Sequence, residues 1–272
     1  MIDLDRLHDE IMDDIKRLLR IVFKTKNDFC MPVSGTGSAA MESCFVNLVN
    51  PGDKVLIIQN GYFGLRMENM CERLGAQIDL LKFEWGEEAE LNKTEDKIKS
   101  EKYDIVAVVH AETSTGVIND LKTISSYIRK HNTALSIVDC VTSLGACNVP
   151  VDEWELDIVA SGSQKGYMIP PGLRFIAISQ KAWEATEKSN LPKFYLNLKS
   201  YRKSLLSNSN PYTPAVNLVF ALDESLKMMR EEGLDNIFLR HNKHKLAMRN
   251  AVKALNLKLF ADENYLSPSI TA

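Results

Sequence analysis

The chain has 272 residues, 45% of them apolar and 25% charged, and a formal net charge of −3. That balance offers no basic field for nucleic acid or an anionic membrane, and no apolar run is long enough for a bilayer-spanning helix. Five cysteines without a CxxC, and five histidines at no usual ligand spacing from them, argue against a disulfide framework or a zinc site. The thiols read as reduced, in a cytoplasmic setting.

Residues Leu4, Leu7, Ile11, Ile15, Leu18, Leu19 and Val22 step by three and four, predicting an amphipathic helix over 3–24. A connector or short strand follows over 29–33. Ser34-Gly35-Thr36-Gly37-Ser38-Ala39-Ala40 then opens a helix that runs through Val46, Leu48 and Val49. Small residues before a helix expose backbone N–H groups at the positive end of its dipole, which suits an anion. Gly35-x-Gly37-x-x-Ala40 also fits the relaxed dinucleotide fingerprint. That fold wants an acid at the end of the next strand, and here Gln59-Asn60 stand there instead.

Strand 55–58 ends at Gly61-Tyr62-Phe63-Gly64, where α/β proteins place ligands. Phe63 there either stacks on a planar ring or covers the edge of the core. A helix through Met67, Met70, Cys71 and Leu74 stops at Gly75, and a strand over 78–83 and a polar helix over 91–100 follow. The buried strand 105–109 ends at His110-Ala111-Glu112-Thr113-Ser114-Thr115-Gly116. Those hydroxyls either cap a turn or hold a phosphate or phenolate oxygen. After a helix over 120–131, strand 135–140 carries Asp139 at its end, followed by Val141-Thr142-Ser143. An aspartate there faces the ligand crevice, or else caps a short helix that follows.

Ser161-Gly162-Ser163-Gln164-Lys165-Gly166 lies between apolar runs at 157–160 and 173–178. Those runs would draw Lys165 toward a dry pocket, where an amine loses its proton and becomes a nucleophile. Taken alone, Lys165 fits a surface turn as well. Pro170-Pro171-Gly172 leaves no room for a crossover helix, so 173–179 should run antiparallel to its predecessor. The alternation before it predicts a largely parallel sheet with helices on both faces. Helices are expected over 180–189, 215–232 and 234–255, the last with Arg240 and Arg249 on a solvated face. A further strand is expected near 258–260, and 267–272 reads as the start of another.

Together these parts describe a site for a phosphorylated, planar, electron-deficient aldehyde, of which pyridoxal 5′-phosphate is the type. The chain resembles the class V pyridoxal-phosphate aminotransferases, in the alanine–glyoxylate, serine–glyoxylate and serine–pyruvate branch. Ser34-Gly35-Thr36-Gly37, Asn60-Gly61-Tyr62-Phe63-Gly64, Glu112-Thr113-Ser114-Thr115-Gly116-Val117, Val138-Asp139 and Ser161-Gly162-Ser163-Gln164-Lys165 with Pro170-Pro171-Gly172 carry the likeness. The resemblance implies an α/β fold: the large domain of a fold type I (aspartate-aminotransferase-like) transferase, with a mostly parallel mixed sheet and helices on both faces. It implies a cofactor-binding domain over 1–235, and a linking helix with the start of a truncated small domain over 236–272.

By the same resemblance, Lys165 is the Schiff-base lysine and proton carrier, and Asp139 pairs with the pyridine nitrogen. Phe63 stacks on the ring, Thr113 and Val141 lie against it, and Thr36, Gly37, Ser38 and Gln164 hold the phosphate. Thr213, with Tyr212 or Asn210, reaches the phosphate of a neighbouring subunit, so a homodimer with shared active sites is implied. The expected substrates are a small amino acid, alanine or serine, and glyoxylate or pyruvate. The family's N-terminal substrate loop and the small-domain arginine that grips the substrate carboxylate have no counterpart here, so the chain reads as a fragment. Alternatives are 2-aminoethylphosphonate transamination, a cysteine-desulfurase-like activity, or a non-catalytic cofactor-binding and dimerisation module.

Overall fold

The computed structural model describes residues 4–272, with side chains from Asp9 onward. Leu4 and Leu7 of the first amphipathic stripe therefore lie outside the described side chains. In chain order the elements are α1 (Leu4–Phe23), β1 (Cys30–Ser34), α2 (Gly37–Leu48), β2 (Lys54–Gln59), α3 (Tyr62–Arg73), β3 (Gln77–Lys82) and α4 (Leu91–Ser100). Then come β4 (Ile105–Val109), β5 (Ala111–Glu112), β6 (Val117–Ile118), α5 (Leu121–His131), β7 (Leu135–Asp139), β8 (Ile158–Gly162) and β9 (Leu173–Ile178). Helices α6 (Gln180–Lys188), α7 (Leu198–Leu205), α8 (Val216–Glu232) and α9 (Leu234–Ala254) follow.

Seven strands form one sheet in the order β1-β9-β8-β7-β4-β2-β3. The pairs from β3 to β8 are parallel, whereas β9 runs antiparallel to β8 and β1 antiparallel to β9. The short Pro170-Pro171-Gly172 connection has the predicted consequence. Runs such as Ile-Val-Ala-Val-Val in β4 are buried along their whole length, as expected of parallel strands covered on both faces. Leu56, Val106, Val138 and Val159 face one core with α1, α5 and α8. Val55, Ala107, Ile137 and Ile158 face the other, with α2, α6 and α7. Among the described residues no helix is long and apolar enough to cross a membrane.

Four expectations need correction. No helix follows Asp139; residues 141–155 form turns, because Asp139 Oδ1 accepts from Val141 N–H and the chain reverses at Gly145 with φ of +84°. Helix α7 was not anticipated, although Leu198, Tyr201 and Leu205 bury one face of it. Residues 258–260 and 267–272 form no strand: Leu266 makes an isolated bridge to Val117, and Ser267 N–H donates to Gly116 O. That return packs the segment over α9 and buries Arg249, read above as solvated. Its Nη2 donates to Ser267 O at 2.6 Å.

Candidate active site

The crevice lies where β4, β7 and β8 end. Asp139 closes β7, in register with Ala160 of the neighbouring parallel strand β8. Gln164 and Lys165 follow the end of β8. A cavity of about 220 Å³ opens here, and both Asp139 and Lys165 line it. Gly37, Ser38, Phe63, Thr113, Val141 and Gln164 line it too. This volume is below the ~300–1,000 Å³ of drug-sized pockets, which suits one ring with small substituents.

Asp139 is buried and accepts from Val141 N–H at 2.8 Å. Burial pushes its carboxyl up to about 6; the Val141 N–H, Arg66 and Lys165 oppose that rise, and Glu112 adds to it. A buried acid with no cation bonded to it is suited to meet one, such as a protonated ring nitrogen. Lys165 is half-buried beside the exposed Gln164, in a cavity that is partly open to solvent, and is not enclosed in the dry pocket expected above. Thr113 Oγ1 lies 2.5 Å from Thr142 Oγ1, a second hydroxyl on the cavity wall.

Helices α2 and α3 both start beside the cavity. At α3, Tyr62 N–H donates to Ser114 Oγ, while Phe63 and Gly64 N–H donate to Glu112 Oε2. Glu112 Oε1 accepts from Ser114 N–H and Oγ–H. The hydroxyl-rich stretch after β4 thus serves as an α3 cap. Gly61 is required beside it, since a Cβ there would overlap the Glu112 side chain. At α2, Thr36 is the N-cap residue yet makes no side-chain cap hydrogen bond. The first-turn N–H groups at Gly37 and Ser38 have no side-chain acceptor and adjoin the cavity. A Cβ on Gly37 would stand 3.0 Å from Val141 Cγ1, so a glycine lets the loop pack this closely. This cradle fits a phosphate.

Three nominated residues stand outside the cavity. Thr36 lies just before the cradle, Thr213 is exposed, and Tyr212 packs against Phe194, Tyr195 and Tyr201 of its own chain, donating to Phe194 O at 2.9 Å. Of the polar residues lining the cavity, two were not nominated, Arg66 and Thr142. Arg66 Nη1 donates to Ser38 Oγ at 2.7 Å, and its guanidinium lies 4.7 Å from the Phe63 ring centroid. Its position three residues after Phe63, on the same helix face, was the available signal.

The model of the class-V aminotransferase family matches residues 2–265. The chain is 48% identical over 266 residues to the soluble hydrogenase 42 kDa subunit of Anabaena cylindrica, covering 96% of this chain and 69% of that one. It is 37% identical over 270 residues to serine–glyoxylate aminotransferase of Hyphomicrobium methylovorum, covering 96% of this chain and 65% of that enzyme. The crystal structure of alanine–glyoxylate aminotransferase from Nostoc sp. superposes with a TM-score of 0.92 at 35% identity, over 96% of this chain and 70% of that one. With the sheet order, Asp139 and Lys165 lining one cavity and this match over nearly the whole sequence, the chain belongs to the class-V aminotransferases, pyridoxal-phosphate enzymes of fold type I.

Proposed function

We propose that the chain carries the cofactor chemistry of an aminotransferase that moves an amino group from alanine or serine to glyoxylate or pyruvate. The observation behind this reading is that the Lys165 amine and the Asp139 carboxyl, from the ends of adjacent parallel strands, line one cavity. Bound there, pyridoxal phosphate supplies an aldehyde and an electron-accepting ring, which protein side chains lack.

Each side chain then has a stated task. Lys165 Nζ is the covalent anchor and moves a proton to and from the substrate α-carbon. Asp139 keeps the ring nitrogen protonated. Phe63 supplies a flat apolar face, with Thr113 and Val141 around the ring. Gly37, Ser38 and Gln164, with Thr36 beside them, hold the anionic end. Tyr212 and Thr213 are proposed to complete the corresponding site of a second copy in a homodimer. Support for that comes from the exposure of Thr213 and of the nearby Phe194, which is 78% exposed. The proposed unit boundary near residue 235 is supported by the break at Gly233, φ +81°, between α8 and α9. A cytoplasmic location is supported by free cysteines throughout the described residues. The acid–amine pair favours amino-group transfer over the hydrogen chemistry in the Anabaena relative's name.

Lys165→Ala tests this reading. Wild type treated with pyridoxal phosphate and borohydride should carry the cofactor on Lys165 by peptide mass, and should convert alanine with glyoxylate. The variant should do neither; a covalent adduct elsewhere in the variant, with activity retained, would overturn the assignment.

A further inference from the structure

We propose that Arg66 is the side-chain cation that grips the anionic end of the cofactor, completing the cradle at the start of α2. This rests on the function proposed above.

Arg66 stands on α3 but reaches across the crevice to α2, where Nη1 donates to Ser38 Oγ. Its guanidinium also lies over the rings of Phe63 and Tyr62, at 4.7 and 5.3 Å from their centroids. It therefore sits between the aromatic platform and the glycine cradle, on the wall of the same cavity. By contrast, Arg129 and Arg240 are each paired with a carboxylate, Asp157 and Glu232. Among the described residues Arg66 bonds a neutral hydroxyl, which leaves further guanidinium donors for an anion.

A second cation lies behind the same loop. Arg174 of β9 is fully buried; among the described residues its Nε and Nη2 find no hydrogen-bond partner, and its Nη1 donates to Ala39 O at 3.4 Å, in the first turn of α2. The rings of Tyr195 and Tyr201 flank it. Positive charge thus brackets the α2 N-terminus from outside and inside, and a buried cation without an anion is costly.

Calorimetric titration of the full chain with pyridoxine 5′-phosphate, pyridoxine and inorganic phosphate tests the assignment at fixed ionic strength. Arg66→Ala should weaken pyridoxine 5′-phosphate about ten- to hundredfold, weaken phosphate as well, and leave pyridoxine unchanged or tighter. Arg66→Lys should fall between, keeping the charge and losing the fork. Equal losses for pyridoxine and its phosphate would make Arg66 part of the ring platform and overturn the proposal, as would no loss. Should thermal melting show Arg66→Ala to be misfolded, Arg66→Gln replaces it with the same expected pattern. The two readings fail separately. If wild type binds pyridoxine 5′-phosphate and Lys165 takes up the aldehyde, only the role of Arg66 is at stake. If wild type binds none of the probes, the function proposed above falls too.

Discussion

Helices α2 and α3 begin side by side on one cavity, and their first turns are completed in opposite ways. The α3 turn is filled from within: Ser114 Oγ and Glu112 Oε2 accept from Tyr62, Phe63 and Gly64 N–H. The α2 turn has no side-chain cap, although Thr36, a competent capping residue, stands at the right position. A buried carboxylate and a bound phosphate solve the same problem of unpaired N–H groups and helix dipole. Where the chain supplies its own anion the helix end is structural. At α2, where it withholds one, we propose that the end is left for a ligand.

The largest expected effect comes from removing the internal anion. Glu112→Ala strips the acceptor from two α3 N–H groups and should cost roughly 4 kcal/mol of stability. Urea unfolding should show the same loss with and without saturating phosphate; a loss that phosphate restores would make the two helix ends equivalent.

Asp139 gives the next effect. Its carboxyl is raised from an ordinary 3.8 to about 6, chiefly by burial, so the folded chain holds that proton more readily than the unfolded chain. The resulting stability is fully present below 3.8 and is lost as pH rises through about 6. Asp139→Asn should remove that slope and make the empty protein more stable than wild type above pH 6, by up to roughly 3 kcal/mol. The same variant should bind pyridoxal phosphate more weakly. Parallel stability–pH curves for the two proteins would count against a buried, uncompensated acid.

The smallest change in stability sharpens the contrast most. Thr36→Asp gives α2 the internal anion that α3 already has, at a residue with the extended φ and ψ of a cap. It should stabilise the empty protein by about 1 kcal/mol and sharply weaken binding of phosphate and pyridoxine 5′-phosphate. Unimpaired phosphate binding would show that the α2 end is not the anion site.

The fold was legible to the extent that local pattern reports it. Apolar runs such as 105–109 and 135–139 read as strands because both their faces are buried, and Pro170-Pro171-Gly172 announced an antiparallel neighbour through its length alone. Helix α7 was passed over because it is short and lies in a polar, punctuated stretch. Arg249 read as solvated because its burial is created by 267–272 folding back, which helical periodicity cannot show.

The site divides along the same line. Residue types and chain order were enough to nominate Asp139 and Lys165, and with them the glycine cradle and Phe63, because each stands at a strand end or helix start where backbone geometry dictates exposure to a crevice. Which groups meet across that crevice was settled only in three dimensions. Glu112 lies in a hydroxyl-rich stretch that suggested ligand binding, yet it caps a helix that starts 50 residues earlier in the chain. Arg66 looked like any polar residue on a surface helix until packing brought α3 beside α2. Sequence sets what each position can donate or accept; the distance between two such positions is a property of the packed sheet and helices, and burial, charge balance and caps all depend on that distance.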